Sequence, residues 1–410
     1  MKYNKPVVVG HFVVSFDNVV NGFLTVVMAP LFFGATDSQV IQLLSSYAAY
    51  AALFITGPIG ALTFGRMGDK IGRRRMLLVS IAGIGIPVVS IGILPTYSTI
   101  GIAAPIILVF LRFIQGIFKG AEFAGVLIHN HETGNKEVRS SADVVSIGCL
   151  GGFIAAVVCW GISQDVMPSW SWRAPFWIGG LLALATFLFR MRIPETDDFI
   201  RVLNEQNISR TPIRDLLRDY KLETFTGIAV GATYTAFAYS SMMFGNRLFQ
   251  QAGYSVAQSM LFSACDLFWI SASISICGRI ADKVGVLRQI NYATIILMVT
   301  AMPVCMLISG QLTLVNIYVY MIIVTFLGSL LASCFAAYVL QLFPISCRYS
   351  GFSVTDSFGA IIGGLTPFMM LLFSSVFDSN LGCAAWLYVV SVPTFILVNV
   401  MDSIMKRRLR

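Results

Sequence analysis

Six ionisable side chains lie inside long apolar stretches of this sequence. They are Asp17, Arg112, Lys119, Glu122, Asp266 and Asp356. Charged groups at membrane depth are costly and by default mark a pathway for ions or substrates. A carboxylate stays ionised beside a cation and takes up a proton when the cation moves away or water is excluded. The residue types therefore predict proton exchange and the binding of a charged small molecule.

Four polar residues share one helical stripe. Arg112, Gln115, Lys119 and Glu122 recur at intervals of three and four residues, which places them on one face of a helix. We expect this face to line a central cavity. Lys119 either binds a substrate carboxylate or neutralises Glu122, three residues further along the same face. Glu122 is either a second site for protons or substrate, or the structural partner of Lys119.

The composition indicates which elements position these residues. The chain has 410 residues, of which 57% are hydrophobic and 12% are charged. Soluble domains are about 45–50% apolar and about 25% charged, so a cytosolic enzyme, a disordered protein and an ordinary nucleic-acid-binding domain are excluded. A membrane helix needs roughly 20 apolar residues. Windowed apolarity predicts twelve spans at residues 7–33, 40–65, 76–95, 101–128, 141–163, 174–190, 223–246, 256–277, 287–308, 312–340, 350–377 and 382–403. These runs are too long and too apolar for barrel strands, so they predict an all-α membrane protein.

The basic residues predict the orientation of the chain. With twelve spans, 24 of the 28 Lys and Arg residues fall on the same side of the membrane as the N-terminus, Arg173 and Arg247 fall on the other side, and Arg112 and Lys119 lie within the fourth span. Basic loops are cytoplasmic, so both termini are expected in the cytoplasm. The longest polar stretch divides the chain into an N-terminal six-helix bundle at 1–190, a linker at 191–222 and a C-terminal bundle at 223–410. The segment from Thr211 to Arg218 is either a surface helix that begins at a Thr cap or a passive tether.

The two halves share a loop motif. The sequence GRMGDKIGRR at 65–74 follows the second span, and GRIADKVG at 278–285 follows the eighth. A repeat in matching loops indicates duplication of a six-helix unit. An Asp at a helix N-terminus is stabilised by the helix dipole, and the basic residues can pair with it and with neighbouring carboxylates. We predict a latch that holds the cytoplasmic side closed, the alternative being a plain positive-inside anchor. The residues of the predicted latch are Gly65, Asp69, Arg73, Arg74, Gly278, Asp282 and Lys283.

The loop motif resembles the signature of the major facilitator superfamily. A narrower resemblance, to its metabolite–proton symporters, rests on RFIQG at 112–116 with GAEFAG at 120–125, on WRAPF at 172–176, on PET at 194–196 and on LFP at 342–344 with RYSG at 348–351. The resemblance covers nearly the whole chain. It implies two pseudo-symmetric six-helix bundles and the transport of small organic acids or zwitterions such as citrate, α-ketoglutarate, shikimate, proline or betaine.

The resemblance also implies roles for residues of the first span, which it places beside the fourth. Asp17 is retained there, so we predict an Asp17–Arg112 pair that either switches partners and carries a proton or acts as a static ion pair. The family's Glu is replaced by Val14, and His11 and Asn21 also depart from the family pattern. We expect His11, Asn21, Gln115, Lys119, Tyr234, Tyr239, Asp266 and Asp356 to contact substrate; the alternative for His11 is a hydrogen bond in the core, and the alternative for Tyr234 and Tyr239 is ordinary packing. Basic groups in one half and acidic groups in the other favour a zwitterionic or amine-bearing substrate.

These observations predict a proton-coupled symporter for a small polar metabolite in a bacterial inner membrane. The first alternative is an uncoupled facilitator or exporter of the same fold. The second, of a different class, is a transporter-like sensor. The sequence contains no GxxxxGK[ST] loop, G-x-S-x-G elbow or HExxH motif, so neither ATP-driven transport nor an enzyme is expected. No cofactor, metal site or nucleic-acid partner is predicted. The expected partners are a small-molecule substrate, protons and the lipid bilayer, with the monomer as the functional unit.

Overall fold

The long apolar stretches fold as helices, which satisfy their own backbone hydrogen bonds. The computed structural model describes residues 5–34, 38–133, 138–164, 166–205 and 212–408. Its α-helices are α1 (Lys5–Phe23), α2 (Thr25–Phe32), α3 (Gln39–Ile55), α4 (Gly57–Ile71), α5 (Arg73–Ile93), α6 (Tyr97–Ile100), α7 (Ala103–Thr133), α8 (Val138–Ile162), α9 (Ala174–Arg190), α10 (Asp197–Asn204), α11 (Pro212–Asp219), α12 (Lys221–Tyr239), α13 (Gly245–Gln251), α14 (Val256–Val284), α15 (Val286–Leu307), α16 (Leu314–Leu342), α17 (Arg348–Gly364), α18 (Thr366–Val376) and α19 (Cys383–Arg408). Short 3₁₀ turns cover Ser171–Arg173 and Asn380–Gly382, and a π-turn covers Ser240–Phe244.

The twelve predicted spans map onto these helices, but some spans are broken. Nine helical segments of the described chain are long and apolar enough to cross a membrane, and the pair α1–α2, bent by 58° at Leu24, makes a tenth. The second span is interrupted at Thr56 between α3 and α4, and the seventh passes from α12 through the π-turn into α13. The molecule is thus an all-α, twelve-helix membrane protein built as two six-helix bundles.

The two bundles meet through equivalent pairs of helices. From the N-terminal bundle, α4 packs against α17, and from the C-terminal bundle, α14 packs against α8. Glycines of the repeated motif allow this close approach. A Cβ on Gly65 would lie 3.1 Å from Ser350 Cα, and one on Gly278 would lie 2.5 Å from Ala142 Cβ. We call the end of the molecule where α4 and α14 finish the latch end.

A central cavity of about 810 Å³ lies between the bundles, toward the end opposite the latch end. Both bundles contribute to its wall, through residues that include Gly22, Tyr50, Tyr239, Met242, Met243, Asn246, Arg247, Met260, Ala360 and Ile361. The cavity is therefore closed at the latch end by the packing of α4, α7 and α17.

The linker between the bundles contains two short helices. Thr196 caps α10, because its hydroxyl accepts the backbone N–H of Phe199 at 3.3 Å. Helix α11 starts at Pro212, within the predicted surface helix. The predicted cap Thr211 lies outside the described residues, as do Lys2, Lys136, Arg210 and Arg410 of the basic residues counted above.

Candidate transport pathway

Asp17 lies at the centre of a buried polar cluster between α1 and α7. One carboxylate oxygen accepts a hydrogen bond from the Asn21 side-chain amide at 2.9 Å, and the other accepts one from the Gln115 amide at 3.1 Å. Asn21 and Gln115 are at most 1% exposed. These two residues therefore position Asp17, and the structure does not place them on the wall of the central cavity.

The predicted direct pair between Asp17 and Arg112 is not formed. Among the described residues, the fully buried Arg112 guanidinium makes no ion pair, and its Nε and Nη1 atoms have no hydrogen-bond partner. Its Nη2 atom lies 3.5 Å from Met28 Sδ, and its central carbon lies 5.9 Å from the ring of Tyr50, which lines the cavity. The family resemblance set the first span beside the fourth and so suggested the pair, but it could not show that the amides of Asn21 and Gln115 occupy the carboxylate instead.

Glu122 has a different partner from the one that the sequence predicted. Its carboxylate forms two contacts with the Arg190 guanidinium, at 2.6 and 3.0 Å, and also accepts a hydrogen bond from Ser80. Arg190 also donates to the backbone carbonyls of Leu77 at 2.8 Å and Val7 at 3.3 Å. The pair therefore ties together α1, α5, α7 and α9, and Glu122 does not face the cavity.

Lys119 is therefore not the partner of Glu122; the partner is Arg190, which the sequence had placed at the cytoplasmic end of the sixth span. Arg190 is fully buried because it is the last residue of α9 and its side chain turns back into the bundle. Spacing along one helix cannot reveal a partner that a distant helix supplies. The four polar residues of the stripe consequently do not share one environment.

Lys119 and Asp356 lie on opposite bundles at about the same level between the two ends of the molecule. Phe123 on α7 and Phe352 on α17 lie with their ring centroids 6.0 Å apart. Lys119 is one helical turn from Phe123, and Asp356 is one turn from Phe352, in both cases away from the latch end. Both charged side chains are half-buried and lie within electrostatic range of each other. Asp356 also accepts a hydrogen bond from the Tyr234 hydroxyl at 3.2 Å.

An aromatic layer separates this charged level from the latch end. Its rings, from one bundle to the other, are His11, Phe123, Phe352, Phe335 and Tyr234, with successive centroid distances of 4.9, 6.0, 5.5 and 4.7 Å. His11 is thus part of this layer and is 9% exposed. Tyr239, in contrast, lines the central cavity.

Asp266 forms a separate polar cluster inside the C-terminal bundle. Its carboxylate oxygens contact the Ser241 hydroxyl at 2.5 Å and the Thr325 hydroxyl at 2.9 Å. The three residues come from α14, the π-turn and α16. Asp266 is 4% exposed and does not line the central cavity, so the structure gives it no direct contact with a solute there.

The N-terminal copy of the loop motif connects the two bundles. The Asp69 carboxylate accepts the backbone N–H groups of Tyr349 at 3.0 Å and Ser350 at 2.9 Å, at the N-terminus of α17. The Arg73 guanidinium lies beside two carboxylates: its Nη1 is 3.8 Å from Asp69 Oδ1, and its Nε is 3.3 Å from Glu132 Oε2. It also donates to the carbonyl of Ile345, in the opposite bundle, at 3.1 Å.

Two acidic residues that the sequence analysis did not select complete this network. Glu132 contacts Arg348 of the opposite bundle at 3.2 Å. Glu195 accepts the backbone N–H groups of Arg73 and Arg74 at the N-terminus of α5, at 3.0 and 3.2 Å. The sequence could have indicated this role for Glu132, because Glu132 comes at the end of an apolar span, on the side of the bundle where the basic motif lies.

The C-terminal copy of the motif makes the equivalent contact in a more exposed setting. Asp282 accepts the backbone N–H of Val138 at 2.9 Å, at the N-terminus of α8. Asp282 and Lys283 are exposed, whereas Asp69 and Arg73 are buried. The two copies therefore cap corresponding helices of the opposite bundles, and among the described residues a network of buried charges surrounds the first copy.

The comparison with protein families agrees with this architecture. The sequence pattern of the Major Facilitator Superfamily matches residues 7–367. The chain belongs to the Major Facilitator Superfamily. It is accordingly an integral, multi-pass membrane transporter and not an enzyme.

Other members of the Major Facilitator Superfamily show how far this likeness extends. A citrate-proton symporter of Salmonella typhi is 27% identical over 372 residues, which cover 87% of this chain and 84% of that protein. A putative proline/betaine transporter of Staphylococcus aureus is 27% identical over 405 residues, covering 95% and 86%. The solved structure of the proton:xylose symporter XylE has a TM-score of 0.77 in a double Trp mutant, at 13% identity, and covers 95% of this chain and 93% of that one.

Proposed function

We propose that this protein is a proton-coupled symporter that takes up a small polar metabolite by alternating access. The observation that carries the proposal is the buried Asp17, held by two neutral amides beside an Arg112 that forms no ion pair with any residue the structure describes. The relatives named as a citrate-proton symporter and a putative proline/betaine transporter support the same class of function.

The coupling follows from the cost of a buried charge. A carboxylate that accepts only amide hydrogen bonds can gain a proton without breaking an ion pair. Lys119 and Arg112 both lie within electrostatic range of Asp17, and the Arg112 N–H groups that have no partner among the described residues favour the approach of an anion. Movement of Arg112 toward Asp17 favours release of the proton, and movement away favours its capture.

Alternating access requires that one end of the cavity close while the other opens. In the proposed orientation, the latch end is cytoplasmic, because most basic residues flank it, and both termini are cytoplasmic. The contacts of Asp69 with α17 and of Asp282 with α8 then keep the cytoplasmic side closed while the cavity opens outward. The location proposed for the protein is a bacterial inner membrane.

The substrate would bind between the bundles at the charged level, which lies beside the central cavity: Tyr239 lines that cavity, whereas Lys119, Asp356 and Tyr234 lie outside its lining and would be reached by the solute from it. Lys119 from one bundle and Asp356 from the other suit a solute with a carboxylate and an amine, and Tyr234 and Tyr239 supply hydroxyls beside them. A zwitterion bridging Lys119 and Asp356 would contact both bundles at once. Its binding would favour the conformation in which the bundles are close together around it.

The test is uptake by purified protein in proteoliposomes with an imposed pH gradient. Wild-type protein is expected to concentrate its solute and to admit protons only when the solute is present. Asp17→Asn is expected to abolish proton-driven accumulation while retaining exchange of solute. Asp198→Asn is the matched control, because Asp198 pairs with Arg201 on the linker helix α10 and not in the membrane region.

The outcomes separate the candidate functions. Accumulation by Asp17→Asn equal to wild type would contradict the coupling role of Asp17. Downhill flux without proton movement in the wild type would indicate a facilitator of the same fold instead.

A further inference from the structure

The cluster around Asp266 is a closed ring of oxygen atoms. The Ser241 hydroxyl lies 2.5 Å from one carboxylate oxygen, the Thr325 hydroxyl lies 2.9 Å from the other, and the two hydroxyl oxygens lie 2.7 Å apart. All three distances are within the hydrogen-bond range for pairs of oxygen atoms. Each contact needs one hydrogen between its two oxygens.

Counting hydrogens gives the charge state of this ring. Ser241 and Thr325 each bring one hydroxyl hydrogen, which is two hydrogens for three contacts. An ionised carboxylate has no hydrogen to give, so one contact would then bring two lone pairs together. A protonated carboxyl supplies the third hydrogen, and every member of the ring then donates once and accepts once.

The surroundings of the ring agree with a neutral carboxyl. Within the described residues, Asp266 forms no ion pair, and its neighbours with titratable groups are Cys149 on α8 and Tyr318 and Tyr320 on α16. These groups are neutral at physiological pH in their ordinary state. An ionised carboxylate buried here without a cation would cost several kcal/mol.

The ring adjoins the cavity through the π-turn. Ser241 belongs to this turn, and the next two residues, Met242 and Met243, line the central cavity, as does Met260 on α14. π-turns within helices are frequent at functional sites, where they allow a local change of register. A shift of the turn that admits water from the cavity would bring a proton acceptor to Asp266.

We propose that Asp266 is a second proton-carrying site, in the C-terminal bundle, and that its proton is exchanged during transport. This inference rests on the proposed symport function and extends it to two protons per cycle. In the exchange step, the O–H bond of the carboxyl breaks and a water molecule of the cavity receives the proton as hydronium. The carboxylate left behind accepts hydrogen bonds from both hydroxyls, so the contact between Ser241 and Thr325 opens.

Release of the proton thereby changes how the seventh span contacts α16. The Ser241–Thr325 contact joins the π-turn of the seventh span to α16, and it exists only when a third hydrogen is present. Loss of the proton breaks the contact that holds the π-turn against α16 beside the cavity wall, and reprotonation restores that contact. The site is independent of Asp17, which lies in the other bundle between α1 and α7.

The decisive variant is Asp266→Asn, because the amide donates from its NH2 group and accepts at its oxygen, as a protonated carboxyl does, and so keeps the ring closed without an ionisable proton. The proton-to-solute ratio is measured in proteoliposomes from the pH gradient that just balances a solute gradient, with the membrane potential held at zero. The ratio is expected to fall by one, which lowers the limiting accumulation tenfold at a gradient of about one pH unit. An unchanged ratio in Asp266→Asn would overturn the proposal. Asp198→Asn is the matched control, since it makes the same substitution on the linker helix α10, outside the membrane region, and the wild-type ratio is expected.

A second measurement does not depend on transport. Infrared spectra of the wild type are expected to contain the carbonyl band of a protonated aspartic acid that disappears in Asp266→Asn. If that variant does not fold, Asp266→Glu is used instead and is expected to shift the band. Absence of such a band would overturn protonation of Asp266, even in a protein that transports. Failure of the wild type to move protons at all would contradict the proposed symport function, whereas an intact symport with an unchanged ratio contradicts only the role of Asp266.

Discussion

The buried pair between Glu122 and Arg190 allows a direct test of the free-energy cost of a buried charge that has lost its partner. The two side chains have no exposure, and they make contacts of 2.6 and 3.0 Å that join α7 to α9. Removing one partner of a buried ion pair costs about 3–5 kcal/mol, because the remaining charge has no compensation. We therefore expect Glu122→Gln or Arg190→Met to lower the unfolding midpoint of the purified protein by roughly 5–10 °C.

Removing both charges together is expected to cost much less. Apolar residues of similar volume in place of a buried ion pair are often neutral for stability or even favourable. The double variant Glu122→Leu with Arg190→Met should therefore recover most of the stability that either single variant loses. The carbonyls of Leu77 and Val7 lose the Arg190 donor in this variant, so full recovery is not expected.

The assay is thermal unfolding in detergent, followed by gel filtration to exclude aggregates, with transport measured in parallel. Glu205→Gln, at an exposed position of the linker, is the control for the loss of one acidic side chain. Single variants as stable as the wild type would refute the inference that an unpaired buried charge destabilises the folded protein. A changed proton-to-solute ratio in a stable Glu122→Gln protein would show instead that Glu122 carries protons.

Three further predictions follow from the contacts between helices. Asp69→Ala removes two charge-assisted hydrogen bonds to α17 and is expected to shift the equilibrium toward the open latch by about 2–4 kcal/mol. Alkylation of the buried Cys347, located by mass spectrometry, should then accelerate, and an unchanged rate would count against the latch. Gly60→Ala places a Cβ against the Ile117 carbonyl and is expected to cost about 1–3 kcal/mol in stability. Gly161→Ala, in helix α8 with open space around it, is expected to leave the stability unchanged or to raise it slightly. Lys119→Gln and Asp356→Asn are each expected to raise the KM for solute at least tenfold, with little effect on the unfolding midpoint, and an unaffected KM would exclude contact with the solute.

The features that depend on position along the chain were predictable from the sequence. Continuous apolarity located the twelve spans, because a helix in lipid must be apolar over its full length. The repeated loop motif located Asp69 and Asp282 at equivalent points, and the structure places each at the N-terminus of a helix in the other bundle. The breaks at Leu24 and Thr56 were not predicted, since apolarity continues through them.

The features that depend on packing between distant helices were not predictable. Arg190 was expected at the cytoplasmic end of the sixth span because it ends an apolar run, yet its side chain returns into the bundle to meet Glu122. Asp17 and Arg112 were correctly placed near each other, but the competing amides of Asn21 and Gln115 were assigned to substrate. The ring around Asp266 also escaped prediction, because Ser241 and Thr325 are ordinary hydroxyl residues until three helices bring them together.

The unequal latch contacts of the two bundles have a consequence for how the molecule opens. Asp69 caps α17 in a buried setting, and Arg73, Glu132 and Arg348 add charged contacts between the bundles there. Asp282 caps α8 at an exposed position, where water competes for the same groups. Exposed polar contacts contribute less free energy than buried ones. The capping contact at Asp282 should therefore break at lower cost than the one at Asp69, and the α14–α8 interface is held instead by buried contacts such as the hydrogen bonds between Ser146 and Ser271.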